Sequence, residues 1–306
     1  MGGTRGSRWR RLATEAANPR SERLDRLGVA RVVALMQAED RRVFAALESA
    51  RPAIVRVAQA FAETMRSGGN CYLFGAGTSG RLAVLEAAEL PPTFGTDPGR
   101  VRAVIAGGRN AVFRAREGAE DRAEEGALEA ARVRPGDLVI GVSASSVTPF
   151  VRGALDTARR CGTRTVLLTA SGSKGLTGMA DIVIVLKVGP EVVAGSTRLK
   201  AGTATKLALN QITTSAFASS GKVFGPWMVD LRAGSAKLKD RALRIVAAAT
   251  EASPRRARSL LARAGGEVKT AIVMGRMGES AARAREKLAA AKGDLRAALE
   301  VRSPKP

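Results

Sequence analysis

The chain has no histidine among its 306 residues. That excludes Ser-His-Asp and Cys-His nucleophilic catalysis, and every histidine-ligated metal site. It has two cysteines, Cys71 and Cys161, at no zinc-like spacing, so they read as packed thiols. Aromatic residues make up 4% and Tyr72 is the single tyrosine, which leaves few platforms for stacking bases. The net charge of +22 therefore does not imply a nucleic-acid partner. The arginines are scattered along the whole chain, and a bias toward Arg and Ala accounts for the charge. Attraction of anionic small molecules follows from it. No apolar run approaches bilayer length, and the basic N-terminus lacks the apolar core of a signal peptide. We expect a cytoplasmic protein with no membrane contact. Acid–base chemistry falls mainly to Glu, Asp and Lys.

A hydrophobic share of 45% and a charged share of 25% describe a globular chain, long enough for one large domain and a small one. Residues 1–25 are polar and Arg-rich, with Arg5, Arg8, Arg10 and Arg11 close together, and read as a flexible basic arm. From Val29 to Arg66 apolar residues recur at helical spacing (Val33, Met36, Val43, Leu47, Ile54, Val57, Phe61). Short, continuously apolar runs follow near 71–75, 101–106, 137–143, 164–169 and 181–186, alternating with helical stretches. Runs apolar on both faces imply a parallel sheet covered by helices. The expected fold is α/β: a doubly wound five-stranded parallel sheet with N-terminal helices, spanning 26–232. A helix is expected from Lys200 to about Ser220. The Ala/Arg-rich stretch 236–302 carries no strand signal and reads as a small helical domain of two or three helices.

The most informative stretch runs from Cys71 to Pro92. It reads as a buried strand, the glycine loop Gly75-Ala-Gly-Thr-Ser-Gly80, and a helix ending just before Pro91. Glycines let the backbone approach an anion, and the free N–H groups of the new helix point at it. Thr78 and Ser79 add hydroxyl donors. The spacing also fits a dinucleotide fingerprint, but no carboxylate closes the second strand, which runs into Gly107-Gly108-Arg109. No Lys-Ser or Lys-Thr completes a Walker loop. Glu89 is the last carboxylate before Pro91. The dipole at a helix end and the apolar neighbours Leu85, Ala88 and Leu90 would favour its neutral form, which suits a general acid.

In doubly wound sheets ligands bind beyond the carboxyl ends of the strands. Three of those ends are rich in hydroxyls: Thr78 and Ser79 after the first strand, Ser143, Ser145 and Thr148 after the third, Ser196 and Thr197 after the fifth. Together they suggest a neutral-donor oxyanion site for a sugar phosphate. Lys200 is a candidate cation of the same site, and Arg81 a weaker one.

Several segments in this order resemble the N-acetylmuramic acid 6-phosphate etherase family, sugar isomerase (SIS) domain lyases. They are Thr14-Glu15-x-x-Asn18-Pro19, Gly75-Ala-Gly-Thr-Ser-Gly-Arg-Leu82, Glu89-x-Pro-Pro92, Glu117-Gly-Ala-Glu-Asp121, Glu191-Val-Val-x-Gly-Ser-x-Arg-x-Lys-Ala-Gly-Thr203, Lys222-Val-Phe-Gly225 and Met228-Val-Asp230. The stretch around Lys269-Thr-Ala-Ile-Val-Met274 is similar to that family's ubiquitin-associated-like helical domain. The resemblance implies cleavage of the D-lactyl ether of N-acetylmuramic acid 6-phosphate by elimination and hydration. It implies no metal and no organic cofactor, a homodimer, and Glu89 and Glu120 as the catalytic pair. Glu120 lies in a charged run that otherwise reads as a solvated face. In the third-strand loop Ser146 and Val147 stand where the family usually has glycine and arginine, and Gln37 stands for an asparagine. Two other functions fit the same fold: a non-catalytic phosphosugar-binding regulator, and an aldose–ketose isomerase using Glu191 as base.

Overall fold

The computed structural model describes residues 12, 14–172, 175–231 and 234–300. The Arg5–Arg11 part of the basic arm lies outside them. The described chain separates into two compact units. One holds the described residues up to Ala88 together with Gly99–Thr213; the other holds Glu89–Pro98 and everything from Thr214.

The first unit contains β1 (Cys71–Gly75), β2 (Val101–Ile105), β3 (Leu138–Val142), β4 (Arg164–Thr169) and β5 (Ile182–Val185). They form one sheet in the order β2-β1-β3-β4-β5, every pair parallel. All residues of β1 and β3, two of the three inner strands, are buried, which is why both read as unbroken apolar runs. The helix α1 (Val29–Arg66) packs against β1, β3 and β5. Helix α4 (Pro149–Arg160) lays Phe150, Val151 and Leu155 on Tyr72, Phe74, Val139 and Leu167. Between them in sequence come α2 (Gly77–Phe94) and α3 (Ala123–Ala130). Helix α5 (Lys200–Ala218) follows β5.

The second unit holds a hairpin, β6 (Val223–Phe224) and β7 (Trp227–Met228), and five helices: α6 (Ala236–Thr250), α7 (Pro254–Arg263), α8 (Val268–Met277), α9 (Ala281–Ala290) and α10 (Leu295–Glu300). Five helices replace the two or three expected because the stretch is punctuated by caps. Ser235, Ser253 and Ser280 each accept a backbone N–H at a helix start, and Gly278 ends α8 at φ 71°. Their apolar faces form one core around Ile245, Leu260, Ile272 and Leu295. Asp230 is bound by the ammonium groups of Lys222 at 2.7 Å and Lys269 at 2.8 Å, tying the hairpin to α8. Burial pushes the Lys269 ammonium below its usual value, and Asp230 opposes that push.

Candidate active site

The glycine loop is shaped by close packing. A Cβ on Gly75 would lie 2.7 Å from the Gly80 nitrogen, and one on Gly80 would lie 2.5 Å from Ile105 Cγ1. Gly77 has φ 53°, a left-handed value that favours glycine. These contacts explain the glycines without a dinucleotide. Helix α2 starts at Gly77, so Thr78 and Ser79 stand in its first turn, among the unpaired N–H groups of a helix N-terminus.

The far end of α2 departs from expectation. The helix does not stop before Pro91; it continues through Pro91 and Pro92 to Phe94. Two prolines are tolerated there because the helix is about to end, and nearby donors satisfy its last carbonyls: Thr93 Oγ1 donates to the Glu89 carbonyl at 2.7 Å and the Gly95 N–H to Pro91 at 3.0 Å. Glu89 is therefore not at the dipole's negative end. Its side chain is exposed, as are Leu85 and Ala88, so the apolar surround expected for it is not formed. The buried carboxylate of α2 is Glu86, which accepts hydrogen bonds from Asn210 Nδ2 at 2.6 Å and from Thr213 Oγ1 on α5. The sequence reading passed over it, although its spacing from the apolar Ala83 and Leu90 places it on the inward face of the helix.

Two of the hydroxyl loops meet within the first unit. A Cβ on Gly202, in the first turn of α5, would lie 3.3 Å from the Thr197 carbonyl oxygen and 3.6 Å from Thr78 Cγ2. That brings the loop after β5 against the start of α2. In the loop after β3, the hydroxyls of Ser143 and Thr148 hydrogen-bond each other at 2.8 Å. Ser145 Oγ accepts the Val147 N–H at 3.4 Å. Ser146, standing for the family's glycine, keeps a left-handed φ of 67° and is buried. Val147 lines a cavity of about 430 Å³ with Leu12 and Pro149. One rim hydroxyl was missed: Ser171, just beyond β4, is buried and its Oγ has no partner among the described residues. Its signal was the run Thr169-Ala-Ser-Gly at the fourth strand end.

Lys200, the candidate cation beside these loops, lies in the interior. It is 1% exposed, and its ammonium donates to the Glu39 carboxylate and, at 2.7 Å, to the Pro190 carbonyl. Glu39, on α1, also accepts Asn18 Nδ2 at 2.9 Å and Arg20 at 3.0 Å. Burial alone would push the Glu39 carboxyl up, but the Lys200 and Asn18 hydrogen bonds hold it below the usual carboxylate range. Asn18 Nδ2 also reaches the Pro190 carbonyl at 3.1 Å, and the Gly195 N–H donates to Thr14 O at 3.0 Å. The chain from Thr14 to Arg20 thus packs onto the loop that carries Ser196 and Thr197 instead of extending freely. Glu191 is also buried. Burial pushes its carboxyl up, against the N–H groups of Ala201 and Lys200, which donate to it at 2.8 and 3.1 Å. It caps the N-terminus of α5, an arrangement that leaves it poorly placed as an isomerase base.

Glu120 occupies a 3₁₀ turn, Ala119–Asp121, reached through Gly118 at φ 72°. Gly107, at φ 80°, lets this segment fold close: a Cβ there would meet Ala119 and Arg116 Cβ atoms at 3.1 Å. A cavity of about 160 Å³ results, lined by Ala76 and Gly77 of the glycine loop, by Arg81 and Arg116, and by Glu120. Arg81 Nε donates to the Val112 carbonyl at 2.9 Å. Among the described residues no group of three His, Cys, Asp or Glu side chains is arranged to hold a metal ion.

Residues 53–159 match the family model of the glucokinase regulatory protein N-terminal SIS domain. The chain is 47% identical to the N-acetylmuramic acid 6-phosphate etherase of Symbiobacterium thermophilum, over 86% of this chain and 88% of that protein. It is 49% identical to the enzyme of the same name from Rubrobacter xylanophilus, over 94% and 96% of the two chains. A phosphoheptose isomerase structure from Francisella tularensis aligns with TM-score 0.49 at 16% identity, covering 62% of this chain and 98% of that one.

Proposed function

The chain belongs to the N-acetylmuramic acid 6-phosphate etherase family, and on that premise we propose how its residues carry the chemistry. The protein is a carbon–oxygen lyase that cleaves the D-lactyl ether of N-acetylmuramic acid 6-phosphate. The products are N-acetylglucosamine 6-phosphate and D-lactate. In the open-chain sugar C2 lies beside the aldehyde, so its proton is acidic. A carboxylate removes that proton, the electron pair forms the C2–C3 double bond, and the C3–O bond breaks. A carboxylic acid protonates the departing lactate oxygen. Water then adds at C3 and C2 takes back a proton, which restores the sugar.

Glu89 and Glu120 share the acid and base roles in this reading. Glu120 is supported by the cavity in which the glycine loop, Arg81 and Glu120 meet, and Glu89 by the family resemblance of Glu89-x-Pro-Pro92. Thr78, Ser79, Ser143, Ser145, Thr148, Ser196 and Thr197 surround the phosphate. The approach of Gly202 to both Thr78 and Thr197 supports that grouping, as does the helix N-terminus beneath Thr78 and Ser79. The test is incubation of the purified protein with N-acetylmuramic acid 6-phosphate and assay of both products. Absence of D-lactate would sink the reading, and interconversion of an aldose and a ketose phosphate would put an isomerase in its place.

The enzyme is further proposed to be a cytoplasmic homodimer. In support, no described helix is long and apolar enough to cross a membrane, and α1 exposes Val29 and Phe44 by 82% and 70%. Sedimentation of the purified protein checks the dimer. The functional modules are proposed as a sugar-phosphate domain, 26–232, and a helical domain, 236–302, with limited proteolysis as the check.

A further inference from the structure

The substrate carries two anions, a phosphate and the carboxylate of the lactyl group. The rim hydroxyls are neutral donors suited to the phosphate and leave the carboxylate without a cation. Val147 brings no charge to the loop after β3, so a cation for the carboxylate comes from elsewhere in the chain.

The cations near the site differ sharply in how they are placed. Lys200 is buried and bound to Glu39 and Pro190. Arg198 is exposed. Arg109 lines a separate cavity of about 610 Å³ with Arg102 and Arg132. Arg81 and Arg116 line the cavity that holds Glu120, but Arg116 is exposed and its charge is screened by water. Arg81 is half-buried, on the second turn of α2, and its Nε is anchored to the Val112 carbonyl. That bond fixes the plane of the guanidinium. Among the described residues its two terminal nitrogens have no partner. A guanidinium held through Nε presents those two nitrogens as a fork, the geometry that binds a carboxylate end-on. The cavity of about 160 Å³ is smaller than the ~300–1,000 Å³ pockets that enclose whole drug-sized ligands, and suits a short acid. C2 and C3 are adjacent carbons, so a cation beside Glu120 is within reach of the C3 substituent whichever proton Glu120 handles.

We propose that Arg81 is the cation that binds the carboxylate of the lactyl leaving group, a role that rests on the etherase reading above. It would discriminate substrates bearing a lactyl acid from simple phosphosugars, which bind the same hydroxyl rim.

Product inhibition tests this, because the two products separate the two anions. In the parent enzyme, D-lactate and N-acetylglucosamine 6-phosphate should each inhibit the reaction, and a parent that D-lactate does not inhibit overturns the proposal. In Arg81→Met, inhibition by D-lactate should weaken roughly 10- to 100-fold, the usual worth of a hydrogen bond to a charged group, while inhibition by the sugar phosphate is unchanged. Equal weakening of both would mean that Arg81 only holds the 109–120 segment in place, and overturns the proposal. Selective loss of sugar-phosphate inhibition would make Arg81 a phosphate ligand, and also overturns it. A second measurement needs no variant. A substrate whose lactyl carboxylate is converted to the amide should bind the parent roughly 10- to 100-fold more weakly. Equal affinity for acid and amide overturns the proposal even if Arg81→Met does not fold. A parent that releases no lactate from the natural substrate overturns the etherase reading and this inference together.

Discussion

The network beneath the 190–200 loop and the carboxylates of Glu89 and Glu120 use charge in opposite ways. In the network, Glu39, Glu191 and Lys200 are at most 1% exposed, and every one has hydrogen-bond partners. Glu89 and Glu120 are exposed, and neither side chain has a hydrogen bond or ion pair among the described residues. A carboxylate held by a buried ammonium resists protonation, because the ion pair and its hydrogen bonds would be lost. A group that must exchange protons with a substrate needs the opposite setting. On the proposed reading, the charged residues near the loops divide into those that shape the site and those that act in it, with Glu39, Glu191 and Lys200 buried and Glu89 and Glu120 exposed.

The largest effects should test that division. Glu89→Gln and Glu120→Gln should each lower D-lactate release by about 10²–10⁴-fold, the usual contribution of an acid–base group. Both sites are exposed and unpaired, so unfolding free energies should stay within about 0.5 kcal/mol of the parent. A large stability loss in either variant would move that glutamate into the structural set. Lys200→Met should behave in the reverse sense. Leaving Glu39 buried without its ammonium should cost about 3–5 kcal/mol by urea unfolding, and the pair Glu39→Gln with Lys200→Met should recover much of it. A Lys200→Met protein that is fully stable but binds substrate weakly would restore Lys200 as a ligand and erase the contrast.

A smaller effect follows from acid. The Glu39 carboxyl is held below its ordinary value of 4.5, so its stabilisation is fully present above that value and is lost as pH falls through the folded-state value. Glu191 is pushed up, so its contribution has the opposite sign and falls as pH rises through its own folded value. Urea midpoints measured on the acid side of 4.5 should therefore fall more steeply in the parent than in the Glu39→Gln, Lys200→Met double variant. Parallel curves would show that the Glu39 pair contributes nothing to acid lability.

The sheet was legible in the sequence because inner strands buried on both faces cannot alternate, and β1 and β3 do not. The long helix α1 was legible from its periodicity. What was hidden depended on distance along the chain or on brevity. Lys200 beside a hydroxyl loop looks like a ligand-binding cation until its partner is known, and that partner is 161 residues away. The usual reading of Pro91 and Pro92 is a helix stop, but α2 tolerates both close to its end. The hairpin at 223–228 has strands of two residues, too short for any period. Glu120 could not be told from a solvated face by composition, since its cavity is made by left-handed glycines at 107 and 118.

The smallest expected effect concerns the loop that departs from the family. Ser146 holds a left-handed φ of 67°, a conformation that favours glycine, the residue the family resemblance leads one to expect there. A left-handed conformation costs a residue with a Cβ about 1–2 kcal/mol. Ser146→Gly relieves that strain but gives the unfolded chain more freedom, worth about 0.4–1 kcal/mol in the other direction. It also removes the hydrogen bond from Ser146 Oγ to the Ser145 carbonyl. The net gain should therefore be at most about 1 kcal/mol, a rise in Tm of roughly 2–4 °C or less for a domain of this size. Substrate affinity should hardly change, because the backbone around Ser143, Ser145 and Thr148 is already in the required turn. A tenfold gain in affinity would mean that Ser146 keeps the loop out of its binding shape. In that case Ser146 itself, although buried and bonded to the Ser145 carbonyl, would govern ligand binding and not only the turn.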